Sequence, residues 1–305
     1  MNIKYTIICL MTILNMFGIS ENILKEPDIS PKEECFHELI TEERNEINLP
    51  ILMYHHITPE AVIVKNDMTI TPECFEKHVQ DMIAQGYTPV FLEEIIAYVE
   101  SGDKLPEKPI CITFDDGYLS NYEYAFPVLK KYNVKANIAV IGSSIGLDKY
   151  KNTEHEIIPH FTINQAKEME DSGLVSIISH TYDMHQAFTF ESGDKIRINA
   201  VELQNESAEE YEIALKRDFE KMSEILLENF EKKSVILAYP YGRYSELSNE
   251  ILKECGVKIT LATSMGINKI EKGNKESLYN LHRYTVHQTF GDVREMDEKT
   301  VNACD

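Results

Sequence analysis

The chain of 305 residues is short of positive charge: 30 lysines and arginines stand against 51 aspartates and glutamates, for a net charge of −21. Binding nucleic acid through its phosphates needs a basic face, so no nucleic-acid partner is expected, and a neutral or cationic one fits better. Cysteine is scarce and badly placed for pairing. The six cysteines lie at 9, 35, 74, 111, 255 and 304, none in a C-x-x-C arrangement, and the five outside the first twenty residues form an odd, scattered set. That pattern excludes a disulfide framework and a thiolate zinc site, and Cys111, in an apolar strand, reads as a small buried hydrophobe. Long apolar runs are also few. The opening "MNIKYTIICLMTILNMFGIS" holds one from Tyr5 to Phe17, with Lys4 ahead and Gly18 and Ser20 behind. Residues 1–20 therefore read as an export signal, or as an uncleaved N-terminal anchor although the run is short for a membrane span. No lipobox-like cysteine follows. A secreted or cell-surface protein is expected, touching a membrane only through this segment.

Hydrophobic residues make up 43% and charged residues 27%, ordinary values for a soluble globular protein. Residues 21–48 are polar with little periodicity and read as a linker. The domain is expected over 49–290, followed by an acidic tail at 291–305. Within the domain, strands and helices alternate. "PILMY" is a strand; Thr71-Pro72 opens a helix that Gly86 ends; "TPVFL" is a strand, "EEIIAYVE" a helix and "PICIT" a strand; residues 119–132 form a helix interrupted or initiated near Pro127. "VKANIAV", "LVSIIS", "SVILAY", "VKITLA" and "LYNLHRYTV" continue the strands. Between them come "TINQAKEMEDSG", a long helix begun by the capping box Ser207 and Glu210, and "SELSNEILKECG". This alternation predicts βα units in a mostly parallel sheet, and seven or eight such strands suit a (β/α)7–8 barrel. In such barrels the reactive groups lie just past the C-terminal ends of the strands.

Four strand ends carry unusual residues. His55 and His56 follow "PILMY", Asp115 and Asp116 follow "PICIT", His180 and His185 follow "SIIS", and Pro240-Tyr241-Gly242 follows "SVILAY". Asp-Gly alone would serve a turn, so the extra aspartate in "CITFDDGY" asks for another explanation. The five-residue spacing in "SHTYDMH" helps. It puts the two histidines on opposite faces of a strand, or about 140° apart on a helix, so they converge only if the loop between them curls, as metal ligation would impose.

Taken together, these motifs resemble the NodB-type polysaccharide deacetylases, carbohydrate esterase family 4. The first motif, T-F-D-D-G, stands at Thr113 to Gly117, while "SHTYDMH", "ILMYHHI" and "AYPYG" resemble the PgaB and IcaB branch, which acts on poly-β-1,6-N-acetylglucosamine. The resemblance covers residues 49 to 287 and implies a distorted barrel of the NodB-homology fold. It also implies a metal-dependent hydrolase that removes N-acetyl groups from an extracellular N-acetylglucosamine polymer. Peptidoglycan or chitooligosaccharide deacetylation is the alternative within the family, and a catalytically silent glycan-binding barrel the alternative outside it. A glycosidase is disfavoured because no second domain supplies a separated acid pair. A monomer is expected.

Amide hydrolysis needs an activated water, a stabilised oxyanion and a proton for the leaving amine. Two histidines and one carboxylate leave open positions on a divalent cation, most simply Zn²⁺, with Co²⁺ or Ni²⁺ as alternatives. The resemblance assigns Asp116, His180 and His185 as ligands and Asp115 as general base, an order the residues alone leave open. It also implies an oxyanion contact from backbone N–H near Tyr241 and a general acid at His55. Two departures stand out. The arginine that the family usually carries two residues before the proline is replaced by Ala238, which makes Arg283 the candidate for orienting the base. The late Leu-x-His motif is out of frame, which leaves His282 and His287 as alternatives to His55. Residues 186–206, with Phe188, Phe190 and "GDKIRI", are expected to form a lid or wall of the glycan groove.

Overall fold

The computed structural model describes residues 45–59, 68–193 and 195–287. The expected export signal, most of the linker and the acidic tail lie outside them. Among the described residues no helix is long and apolar enough to cross a membrane.

The frame is a curled parallel sheet. Strands β2 (Ile51–Tyr54), β6 (Pro109–Phe114), β7 (Ala136–Val140), β8 (Val175–Ser179), β9 (Ile236–Ala238) and β10 (Ile259–Leu261) are buried along their whole length. Their sequences are near-continuous apolar runs, as expected for strands covered on both faces. Reading across the sheet, the order is β10-β9-β8-β7-β6-β2-β12, where β12 is Tyr284–Thr285, and every pairing is parallel. The chain just before β12 reaches back to the opposite edge. Leu281 donates to the Thr260 carbonyl at 2.8 Å and accepts from Ala262 N–H at 2.9 Å, while Tyr284 pairs with Leu52. Segment 281–285 thus bridges both edges of the sheet and makes it a distorted (β/α) barrel.

The helices that cover the sheet start where cap residues place them. Thr71 accepts from Cys74 N–H at 3.1 Å and, with Pro72 in the first turn, opens α1 (Pro72–Ala84). Capping boxes at Thr162 with Gln165, and at Ser207 with Glu210, open α4 (Ile163–Asp171) and α5 (Ala208–Phe230). The remaining helices are α2 (Leu92–Ser101), α3 (Phe126–Tyr132) and α6 (Glu246–Glu254). Buried Leu215, Phe219, Met222 and Leu226 form the inward stripe of α5.

Four boundaries differ from the sequence reading. The linker expected to run to residue 48 gives its last three residues to β1 (Glu46–Leu49), which pairs antiparallel with β11 (Asn268–Glu271). "TPVFL" shrinks to β5 (Thr88–Pro89), because Phe91 already caps α2, its N–H donating to Glu94 at 2.8 Å. A π-helical turn, Asn121–Ala125, precedes α3, where Pro127 supplies no N–H for a regular ladder. The last strand contracts to Tyr284–Thr285, since a 3₁₀ turn at Lys275–Leu278 and the left-handed Asn280 (φ 58°) occupy its first half.

Candidate active site

At the end of β6 two aspartates separate. Asp115 continues the strand, its N–H bonded to the Tyr54 carbonyl at 2.9 Å, whereas Asp116 turns into the left-handed region with φ 73°. The backbone therefore aims adjacent carboxylates at different partners. Gly117 (φ 80°) completes the turn, and a Cβ there would sit 2.9 Å from Val140 Cγ1. Thr181 (φ 69°) and Tyr241 (φ 54°) are also left-handed, so unfavourable backbone gathers at this mouth of the barrel.

Asp115 is held by Arg283. The guanidinium, fully buried, donates Nη1 to Oδ1 at 2.7 Å and Nη2 to Oδ2 at 2.8 Å, and its own Nε is fixed on the Ala262 carbonyl at 2.8 Å. Burial by itself would raise the Asp115 carboxyl. The charge of Arg283, then those of His180 and His55, overcome it and hold the group well below the usual carboxylate range.

Asp116 faces two histidines. Its Oδ1 lies 3.5 Å from His180 Nε2 and 3.6 Å from His185 Nε2, and one donor atom from each residue falls within 4.8 Å of the others. That carboxylate oxygen is buried without a hydrogen-bond partner. An orphaned buried oxygen among converging imidazole nitrogens is a donor set that fits a divalent cation. His180 is already turned for it. Its Nδ1 donates to the Ala238 carbonyl at 2.8 Å, which leaves the Nε2 lone pair for the cluster, and burial pushes the ring toward the neutral form.

The loop from His180 to His185 curls because its backbone is tied at successive residues. Tyr182 N–H donates to Asp218 Oδ1 at 2.8 Å, Asp183 N–H to Asp218 Oδ2 at 2.7 Å, and Met184 N–H to Thr181 Oγ1 at 3.2 Å. The Asp183 side chain accepts from Ser143 at 3.0 Å and from Lys151 at 2.9 Å. His185 then packs on the Tyr241 ring, with centroids 4.7 Å apart. Tyr241 stands 61% exposed at the rim. The turn it occupies needs Gly242 next, where a Cβ would lie 2.5 Å from Thr263 N.

Among the three candidate proton donors, His55 is the one brought to the aspartates. It lies near enough to both Asp115 and Asp116 to bear on them electrostatically, and its Nδ1 is buried without a partner. His56 turns away to bond Ser120 Oγ at 2.9 Å. His282 is exposed and bonds Ser264 Oγ at 2.7 Å, while its neighbour Arg283 is buried. His287 lies two residues beyond β12, at the last of the described residues.

Sequence reasoning passed over two residues here. Tyr118 lies against Asp116, and burial followed by that negative charge raises its hydroxyl pKa far above the usual phenol value. Asp218 is the other, and it had a signal: an acid standing in the buried stripe of α5 between Leu215 and Met222. Residues 187–191 are folded onto the loop after β7. Phe190 stacks on His155 with centroids 4.5 Å apart, Lys151 joins Asp183 to Glu191, and Arg197 forms a largely buried pair with Glu206. Phe188 projects, 72% exposed.

Comparison with known proteins agrees with this geometry. Residues 102–260 match the family model described as polysaccharide deacetylase. YxkH of Bacillus subtilis, provisionally named a polysaccharide deacetylase, is 33% identical over 238 residues, covering 78% of this chain and 71% of that protein. The poly-β-1,6-N-acetyl-D-glucosamine N-deacetylase of Escherichia coli is 28% identical over 228 residues, 71% of this chain, and the match spans only 34% of that longer protein. In structure, a de-N-acetylase from Aggregatibacter actinomycetemcomitans superposes with a TM-score of 0.69 at 28% identity, covering 83% of this chain and 99% of the other.

Proposed function

The chain belongs to the polysaccharide deacetylase family, and from that premise we propose that it removes N-acetyl groups from a β-1,6-linked N-acetylglucosamine polymer outside the cell. The observation that carries the reading is the pairing of two adjacent aspartates with different partners, Asp115 with Arg283 and Asp116 with His180 and His185. The choice of polymer rests on the similarity to the Escherichia coli enzyme named for it, and the export reading on residues 1–20.

Asp116, His180 and His185 would hold the divalent cation, most simply Zn²⁺. When bound, such a cation would lower the pKa of water and polarise the acetyl carbonyl, and Asp115 is the carboxylate placed to accept the proton. Arg283 fixes both oxygens of Asp115, which keeps it ionised and aimed. The backbone N–H of Tyr241, at the left-handed turn beside His185, is the candidate donor to the oxyanion. His55, as the imidazolium, protonates the departing amine. Phe188 and the other described residues of 186–206 form a wall of the groove, and the net charge of −21 favours a product whose freed amines are cationic.

The test is acetate release by purified protein from poly-β-1,6-N-acetylglucosamine, peptidoglycan and chitooligomers in parallel. Release is expected to be fastest from the first, to stop on chelation and to return with Zn²⁺ or Co²⁺. Faster release from either other polymer moves the substrate there; full activity after verified metal removal sinks the mechanism; no release from any, with glycan still bound, favours a silent binding protein.

A further inference from the structure

The loop that carries His180 and His185 makes no regular secondary structure, yet it must hold two imidazoles within reach of Asp116. Its own hydrogen bonds do not explain that. Thr181 Oγ1 takes Met184 N–H, and the Thr181 and Tyr182 carbonyls accept from Gly142 N–H at 3.1 Å and Ser143 N–H at 2.8 Å. The two amides at the apex, Tyr182 and Asp183, both half-buried, take no partner from the loop itself. Both are taken by one carboxylate from another element, Asp218 on α5, at 2.8 and 2.7 Å. Asp218 is 8% exposed and sits on the buried stripe of a helix of 23 residues, so the clamp is anchored in the core.

We propose that Asp218 is a positioning residue for the metal centre: it acts through the Tyr182–Asp183 backbone to bring His185 onto Asp116 and His180. This rests on the reading of those three residues as ligands. His180 is secured independently, by its Nδ1 bond to the Ala238 carbonyl and by the end of β8. His185, 19% exposed in its side chain and five residues further along the loop, depends on the curl. The carboxylate suits the task because it offers two acceptors at once, while an amide would set an N–H₂ against one of the two donors. A hydrogen-bonded partner behind a ligand is worth 10- to 100-fold in metal affinity in comparable sites, and here the partner stands behind the loop instead of behind the ring.

The experiment measures Zn²⁺ affinity of the metal-free full chain by competition with a chromophoric chelator, well below the melting temperature of every variant. Asp218→Asn is expected to bind Zn²⁺ roughly 10- to 100-fold more weakly than the parent. Asp218→Glu, which keeps the charge and both acceptors on a longer stem, should lose less, and it replaces the Asn variant should that one fail to fold. The decisive step is a cycle with His185→Gln. If Asp218 works through His185, Asp218→Asn should cost little further affinity in that background; an equal cost in both backgrounds means general loosening and overturns the proposal. Parent-like affinity in both Asp218 variants overturns it too. A parent chain that binds no Zn²⁺ would instead overturn the ligand reading itself.

Discussion

Asp115 and Asp218 are both buried carboxylates that serve the same mouth of the barrel, and their surroundings push them in opposite directions. At the barrel end, burial would raise Asp115, but the forked guanidinium of Arg283, joined by His180 and His55, more than compensates and holds it low. On α5, burial pushes Asp218 up to about 6, and its two backbone N–H bonds offset only part of the rise. Nearby Asp183 adds to the rise and Lys221 opposes it. A two-bond guanidinium backed by neighbouring histidines outweighs desolvation, whereas two amide dipoles do not. On the proposed roles, the general base sits where its charge is matched and the positioning residue where it is not.

Removing the low carboxylate breaks this comparison most severely. Asp115→Asn is expected to keep its metal and lose roughly 10² to 10⁴ in kcat, the scale of a lost general base, while His180→Ala loses the metal as well. Metal analysis alongside turnover checks both. An empty Asp115→Asn and a loaded Asp116→Asn would exchange the roles of the pair. His55→Ala should also keep metal and lose turnover, with a smaller loss on activated esters whose leaving group needs no proton. Equal losses on amide and activated ester would give His55 a structural part.

The next effect is on stability. Arg283→Met strands Asp115 as an unpaired buried charge, which typically costs about 3–5 kcal/mol, and Arg283→Lys keeps the charge without the fork. Denaturant midpoints should therefore order parent, Lys and Met. The double variant Arg283→Met, Asp115→Asn should recover part of the loss, because no bare charge remains. A double variant no better than Arg283→Met would mean that the arginine stabilises by packing and its Ala262 bond alone.

The two carboxylates also differ in how legible they were. Asp115 could be read because "TFDDG" is contiguous and ends an apolar strand, and Arg283 because Ala238 left a vacancy in a known pattern. The alternation of apolar runs with capped helices led to the parallel barrel for the same reason: each signal is local. Asp218 acts across 35 residues on backbone amides, which have no sequence signature, so only its odd place in an apolar stripe hinted at it. The β1–β11 pair was missed on similar grounds. Glu46–Leu49 alternates exposed and buried residues over only four positions, and its partner lies more than 200 residues away. Phe91 closed "TPVFL" early through a cap made by Glu94 rather than by its own side chain, which no cap preference would suggest.

The smallest effect is the most direct test of the contrast, because it asks for the sign of the Asp218 shift. An acid whose pKa is raised on folding binds its proton more tightly in the folded state, so stability is greatest with the group protonated and falls as pH rises from the unfolded value to the folded one. For Asp218 that window runs from 3.8 to about 6. A shift of this size corresponds to at most about 3 kcal/mol across the window. Other groups titrate there too, including Glu191 and Glu210, whose lowered pKa values act in the opposite direction. They are common to the parent and to Asp218→Asn, which cannot titrate at this position, so the difference between the two isolates Asp218. Chemical denaturation of metal-free protein at several pH values between 4 and 7 is the measurement. The advantage of the parent over Asp218→Asn should shrink steadily as pH rises. Parallel curves would mean that Asp218 titrates alike in both states, and a widening gap would mean that the two backbone amides hold it low, as Arg283 holds Asp115.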